Sequence, residues 1–167
     1  TSSPLTFNLT SSDETEASVP SSVTIPAGQT SATFNIDAED DAIVDGTQMV
    51  TITASATGQD DVTDTLDVTD DDTPELSLTI VADSISESAG SAATTATVSR
   101  NTDTSSALTV DLSSSDTGEA TVPATVTIAA GQTSATFDID AVDDAVVDGT
   151  QAVTITASSA GFTSGTD

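Results

Sequence analysis

Carboxylates are the only side chains in this sequence whose types and spacing could do chemistry. Asp70, Asp71 and Asp72 stand side by side. They follow the strand pattern Thr65-Leu66-Asp67-Val68, and Pro74 separates them from the next one, Leu76-Ser77-Leu78-Thr79-Ile80. Adjacent carboxylates repel one another, so a triplet with no packing role calls for a positive charge. A second cluster holds Glu39, Asp40, Asp41 and Asp45, and its copy holds Asp143, Asp144 and Asp148. Glu87 stands apart in Ser84-Ile85-Ser86-Glu87-Ser88-Ala89-Gly90. Ca²⁺ takes six to eight oxygen ligands in tolerant geometry, whereas Mg²⁺ demands a strict octahedron. Zn²⁺ wants nitrogen or sulfur, and the chain has no His or Cys. Ca²⁺ at a junction between domains is the chemistry these residues offer. The competing reading, in which they are turn and cap residues, stays open.

The rest of the composition narrows the function by exclusion. Among 167 residues there is one Lys or Arg, Arg100, against 28 Asp and Glu, a net charge of −27. Nucleic-acid binding needs a basic footprint, and an anionic membrane surface repels such a chain. So large a charge keeps a protein soluble but strains its compact state, which bound cations or high salt relieve. A solvated, halophile-like surface accounts for the scattered carboxylates and leaves the clusters unexplained. With no Cys, His, Trp, Tyr or Lys, most nucleophile and base arrangements are missing. A carboxylate pair alone can serve a glycosidase, but sugar sites also offer aromatic surface, and only four Phe are available. The expectation is a protein that is not an enzyme. No apolar run is long enough to cross a membrane.

The elements that must position the carboxylates come from a repeat. Residues 1–64 align without a gap on 104–167, with 44 identical positions, so the repeating unit is 103 residues. Thr30-Ser31-Ala32-Thr33-Phe34 returns as Thr133-Ser134-Ala135-Thr136-Phe137. The expected domains are 1–72, a copy lacking its first two strands, and 73–167, a copy lacking its last. Period-two alternation predicts strands at 76–80, 93–99, 108–112, 125–128, 134–140 and 152–157. The seventh, at 65–68, is supplied by the first copy. Seven short strands in about 100 residues imply an all-β fold, a β-sandwich. The four Phe are expected in or near the core, Gly46 and Gly149 at positive φ, and Arg100 paired with a carboxylate.

Together, Ser86-Glu87-Ser88-Ala89-Gly90, the Ala-Gly-Gln-Thr turn, the Asp-Asp-x-x-x-Asp-Gly-Thr-Gln loop and the closing Thr-Asp-Asp-Asp resemble the Calx-β repeat. That family occurs in sodium–calcium exchangers, in an integrin subunit and in large bacterial surface proteins. The resemblance covers the whole unit and implies tandem seven-stranded immunoglobulin-like Greek-key β-sandwiches. It implies Ca²⁺ ligands at Asp40, Asp41, Asp45, Asp70, Asp71 and Asp72 in the first copy. In the second it implies Glu87, Asp143, Asp144 and Asp148, with Glu16 and Glu119 near a further ligand position. Where the exchanger loop is almost wholly acidic, this one has Ala42, Gly46, Thr47 and Gln48, so fewer ions or weaker binding are expected. The function implied is an extracellular, secreted or cell-surface stalk or fibre module, adhesive or structural, stiffened by Ca²⁺. Its partners would be neighbouring repeats and identical chains in a fibre. A Ca²⁺-sensing regulatory domain and a ligand-recognition domain of an adhesin are the alternatives.

Overall fold

Aliphatic residues alternating with Thr and Ser dictate strands that bury one face and wet the other. The computed structural model describes residues 2–147 and 149–167. Among them the chain is all-β, with antiparallel sheets and a single 3-10 turn, Glu87–Ala89. It divides into two compact units, Thr1–Asp71 and Asp72–Asp167.

The first unit holds β1 (Leu5–Ser11), β2 (Ala17–Ser18), β3 (Ser22–Ile25), β4 (Asp37–Ala38), β5 (Gln48–Ser55) and β6 (Val62–Val68). Four of these form an antiparallel sheet in the order β3-β1-β5-β6, while β2 and β4 make a two-residue ladder. Leu9 faces Ala54, and Val50 faces Leu66. The core is small: Ala17, Val50 and Ile52 are buried, with Val19, Phe34, Leu66 and Val68 packed against them.

The second unit holds β7 (Leu76–Ile80), β8 (Thr94–Arg100), β9 (Leu108–Ser114), β10 (Ala120–Thr121), β11 (Thr125–Ile128), β12 (Ser134–Ala141), β13 (Ile155–Ser158) and β14 (Gly165–Thr166). They form two four-stranded sheets, β10-β12-β8-β7 and β11-β9-β13-β14. Leu76, Leu78, Ala96, Val98, Phe137 and Ile139 from one sheet share a single core with Val110, Leu112, Ile128, Ile155 and Ala157 from the other. At one edge the sheets touch through backbone: the Leu76 amide donates to the Thr163 carbonyl at 2.9 Å, and the Thr163 amide to Pro74 at 2.8 Å. Gly165 is required there, because a Cβ would lie 2.6 Å from the Leu76 carbonyl oxygen.

Several elements differ from the sequence reading. The strand expected at 152–157 starts only at Ile155. In the first unit the corresponding Gln48–Thr51 are strand, paired with Val68 through Thr65 of β6. The last strand of the first unit begins at Val62, three residues early, and the second unit has its first two residues as β14. The short β2 and β10, each pairing two residues, carry too little alternation to be recognised in sequence. The Phe residues agree with the expectation of core or near-core positions: Phe137 is buried, Phe34 and Phe162 are half-buried against the cores, and Phe7 is half-buried. Arg100 is buried at 8 % exposure; its Nη2 donates to the Gln132 carbonyl at 3.1 Å and its Nε finds no partner.

Candidate metal centre

In the first unit the acidic loop leaves β4 and returns at β5, and the end of β6 lies alongside it. The Asp70 carboxylate accepts two backbone amides of that loop through Oδ2, from Asp45 at 3.0 Å and from Gly46 at 2.8 Å. Such charge-assisted bonds are stronger than neutral ones. Gly46 takes the left-handed conformation expected of it, at φ +77°, which turns both amides toward one oxygen. Asp41 folds over its own turn, its Oδ1 accepting the Ile43 amide at 2.7 Å. The Gln48 side chain closes the loop by donating to the Asp45 carbonyl at 3.0 Å.

Glu16 reports the electrostatics of this pole. Its carboxyl is held above the ordinary value by desolvation, then by the negative fields of Asp45, Asp13, Asp41 and Asp70. Four carboxylates from three parts of the unit therefore act on Glu16: Asp13 from the turn after β1, Asp41 and Asp45 from the loop before β5, and Asp70 from the segment after β6. Asp13 is itself held low, first by the Thr15 hydroxyl and then by the Thr15 amide, which donate to its Oδ1 at 2.6 and 3.0 Å. Sequence reasoning did not single out Asp13. Its repetition as Asp116 in Ser-Ser-Asp was the available signal. Asp40 and Asp71 are exposed, and neither is among the groups acting on Glu16.

The second unit places its acidic residues differently. Asp72, half-buried, opens this unit. Glu87 sits on the 3-10 turn and, with Glu119, Asp83 and Asp167, lines an open cleft of about 560 Å³. The floor of the cleft is aliphatic, made by Ile80, Ile85, Ile139, Val153 and Ile155. Asp167 is tied down, its Oδ2 accepting the Ile80 amide at 2.7 Å. Asp143 and Asp144 are exposed, and Asp144 Oδ1 accepts the Val146 amide at 2.7 Å, the same turn that Asp41 makes. Asp148 lies outside the described residues.

The donor set suits a hard cation: every candidate is a carboxylate oxygen. Asp13 and Asp41 use Oδ1 for their turns, which leaves the geometry of each compatible with ligation through the other oxygen. The carboxylates are nonetheless spread. Among the described residues no three Asp or Glu side chains lie close enough together to hold a metal ion. No protein-family model matches the chain, and no curated protein is significantly similar to it.

Proposed function

We propose that this chain is part of an extracellular structural or adhesive fibre. It would be built from tandem Calx-β-type units, each completed as a seven-stranded, immunoglobulin-like Greek-key sandwich, with Ca²⁺ neutralising an acidic pole. The observation that carries the reading is the Asp70 carboxylate holding the Asp45 and Gly46 amides, at a pole where the charges of Asp45, Asp13, Asp41 and Asp70 also act on Glu16. A surface shaped only for solubility gains nothing by bringing like charges together. The strand pairing supports the Greek-key part, since β8 pairs β12 across the chain while β9 pairs β11 and β13 pairs β14. The gapless repeat supports the fibre, because identical units serve extension better than recognition.

In this reading Asp13, Glu16, Asp41, Asp45 and Asp70 would hold the ion. Bound Ca²⁺ supplies a compensating double charge and draws the carboxylates inward. The Asp70 bonds to the Asp45 and Gly46 amides already fix the loop against β6, so only side chains need to move. A ligand bound by the folded state alone adds about 2.7 kcal/mol of stability at a hundred times its Kd. For a unit of this size that is a rise in Tm of roughly 10–20 °C. The test compares thermal melts in EDTA, in a few millimolar Ca²⁺ and in NaCl of equal ionic strength. A rise specific to Ca²⁺ and lost in Asp45→Asn/Asp70→Asn supports the proposal. An equal rise in NaCl means general screening, and that result, or no rise at all, overturns it.

A further inference from the structure

Charged residues make up 17 % of this chain, yet none occurs over 17–36 in the first unit or over 120–137 in the second. Each of these runs contains a strand at the end of a sheet. β3 (Ser-Val-Thr-Ile) ends the order β3-β1-β5-β6, and β11 (Thr-Val-Thr-Ile) ends the order β11-β9-β13-β14. Edge strands are commonly guarded by charges or by proline. The opposite end of the first sheet has such a guard: β6 carries Asp64 and Asp67, and Asp64 Oδ1 accepts the Thr65 amide at 2.9 Å. β3 and β11 contain neither charge nor proline, and Pro20, Pro26 and Pro123 stand outside them.

The phase of each ladder fixes which backbone groups of these strands face outward. The Leu9 amide donates to the Ser21 carbonyl at 3.0 Å, and the Leu112 amide to the Ala124 carbonyl at 2.9 Å. Bonded and non-bonded pairs alternate along an antiparallel ladder. In the observed registers Val23 and Ile25 therefore bond to β1, and Val126 and Ile128 to β9. Ser22, Thr24, Thr125 and Thr127 turn their amides and carbonyls away from the sheet, and all four residues are exposed.

The geometry points to this edge as the surface on which a second copy of the chain pairs, like strand against like strand in antiparallel sense. About a centre at Val23, Ser22 of one copy lies opposite Thr24 of the other, and each such pair exchanges both of its backbone bonds. About a centre at Val126, Thr125 and Thr127 do the same. Charge selects the occupant. A basic partner is drawn to the carboxylates, which lie elsewhere. A chain with the same net charge of −27 is repelled wherever carboxylates face it, and approaches at least cost where there are none. The first unit offers the freer edge, because Asn8 lies opposite Ser22 where the second unit has Asp111 opposite Thr125. The inference goes beyond the fibre reading, which needs only units joined along one chain, and it does not depend on Ca²⁺.

The test follows amide exchange residue by residue in the full chain, from micromolar to millimolar concentration, with sedimentation velocity over the same range. EDTA is present, and NaCl at about 1 M shortens the screening length to about 3 Å. The expected result is reversible, concentration-dependent slowing of about tenfold or more at the Ser22 and Thr24 amides. The slowing is smaller at Thr125 and Thr127, and the β8 and β12 amides hold their rates. Thr24→Asp/Thr127→Asp abolishes both the slowing and the association while β5 and β13 amides stay protected. Thr65→Asp/Thr79→Asp adds the same charge at exposed positions off this edge and abolishes neither. No slowing at millimolar chain overturns the proposal. Association that leaves the four edge amides unchanged, or that both double variants abolish equally, also overturns it.

Discussion

Ile36 and Ile139 are the same residue of the repeat in two environments, so one substitution made at both positions separates burial from sequence. Ile→Ala removes the equivalent of three methylene groups, about 2.4 kcal/mol of transfer free energy. Ile139 is 3 % exposed, between Phe137 and Ala141 on β12. It loses the whole of that and leaves a cavity, so Ile139→Ala should cost roughly 3–4 kcal/mol. Ile36 is 42 % exposed, which scales the transfer loss to about 1.4 kcal/mol, and water reaches the vacated space, so no cavity forms. Native-state amide exchange reads each unit separately. At about 1.4 kcal/mol per tenfold, amides at Ala96–Val98 should exchange several hundredfold faster in Ile139→Ala. Those at Val50–Ile52 should change by about tenfold or less in Ile36→Ala. Equal accelerations, or a larger one for Ile36→Ala, would refute the view that burial rather than residue type sets the cost at this position of the repeat.

Three further outcomes are expected. Glu16 binds its proton more tightly folded than unfolded, so the stability it contributes is full below the ordinary glutamate value of about 4.3 and is lost as pH rises through the raised folded value. The first unit should therefore gain stability as the pH falls from neutral through that raised value. Glu16→Gln should remove that gain and raise Tm at pH 7, and a flat wild-type profile would count against the acidic pole. Asp70→Ala removes the acceptor for two amides, at a cost of about 1.5–3 kcal/mol, read as faster exchange at Asp45 and Gly46 with β1 unaffected. Gly165→Ala places a Cβ against the Leu76 carbonyl, and should free Thr163 and Leu76 amides while leaving the β8–β12 ladder protected.

The strands were legible where alternation ran five residues or more and a partner strand lay alongside. Leu108-Thr109-Val110-Asp111-Leu112 and Ser134 through Asp140 each announce a half-buried strand, and both form. Two-residue ladders such as β10 were not legible, because two residues carry no period. Arg100 was legible in part. A lone cation among so many carboxylates invites a carboxylate partner, and its charge does act on Asp103; what the sequence did not show is that its place at the inward end of β8 buries it and turns its Nη2 to the Gln132 carbonyl. In the acidic loop the clusters were plain in the sequence. The role of Asp70 as a cap on Asp45 and Gly46 was not, since it depends on β6 running beside the loop.

The segment at 31–38 shows why pattern alone stops short. β-propensity expresses how well a residue fits a half-buried, pleated surface, and that surface exists only if a second strand makes it. Residues 134–141 have β8 beside them and are fully strand, while 31–36, with the same alternation, are not. Val153 is half-buried beside the cleft of the second unit, whereas its counterpart Val50 is fully buried opposite Leu66 of β6. At both positions the repeat fixes the residue type, and burial follows the strand that lies beside it.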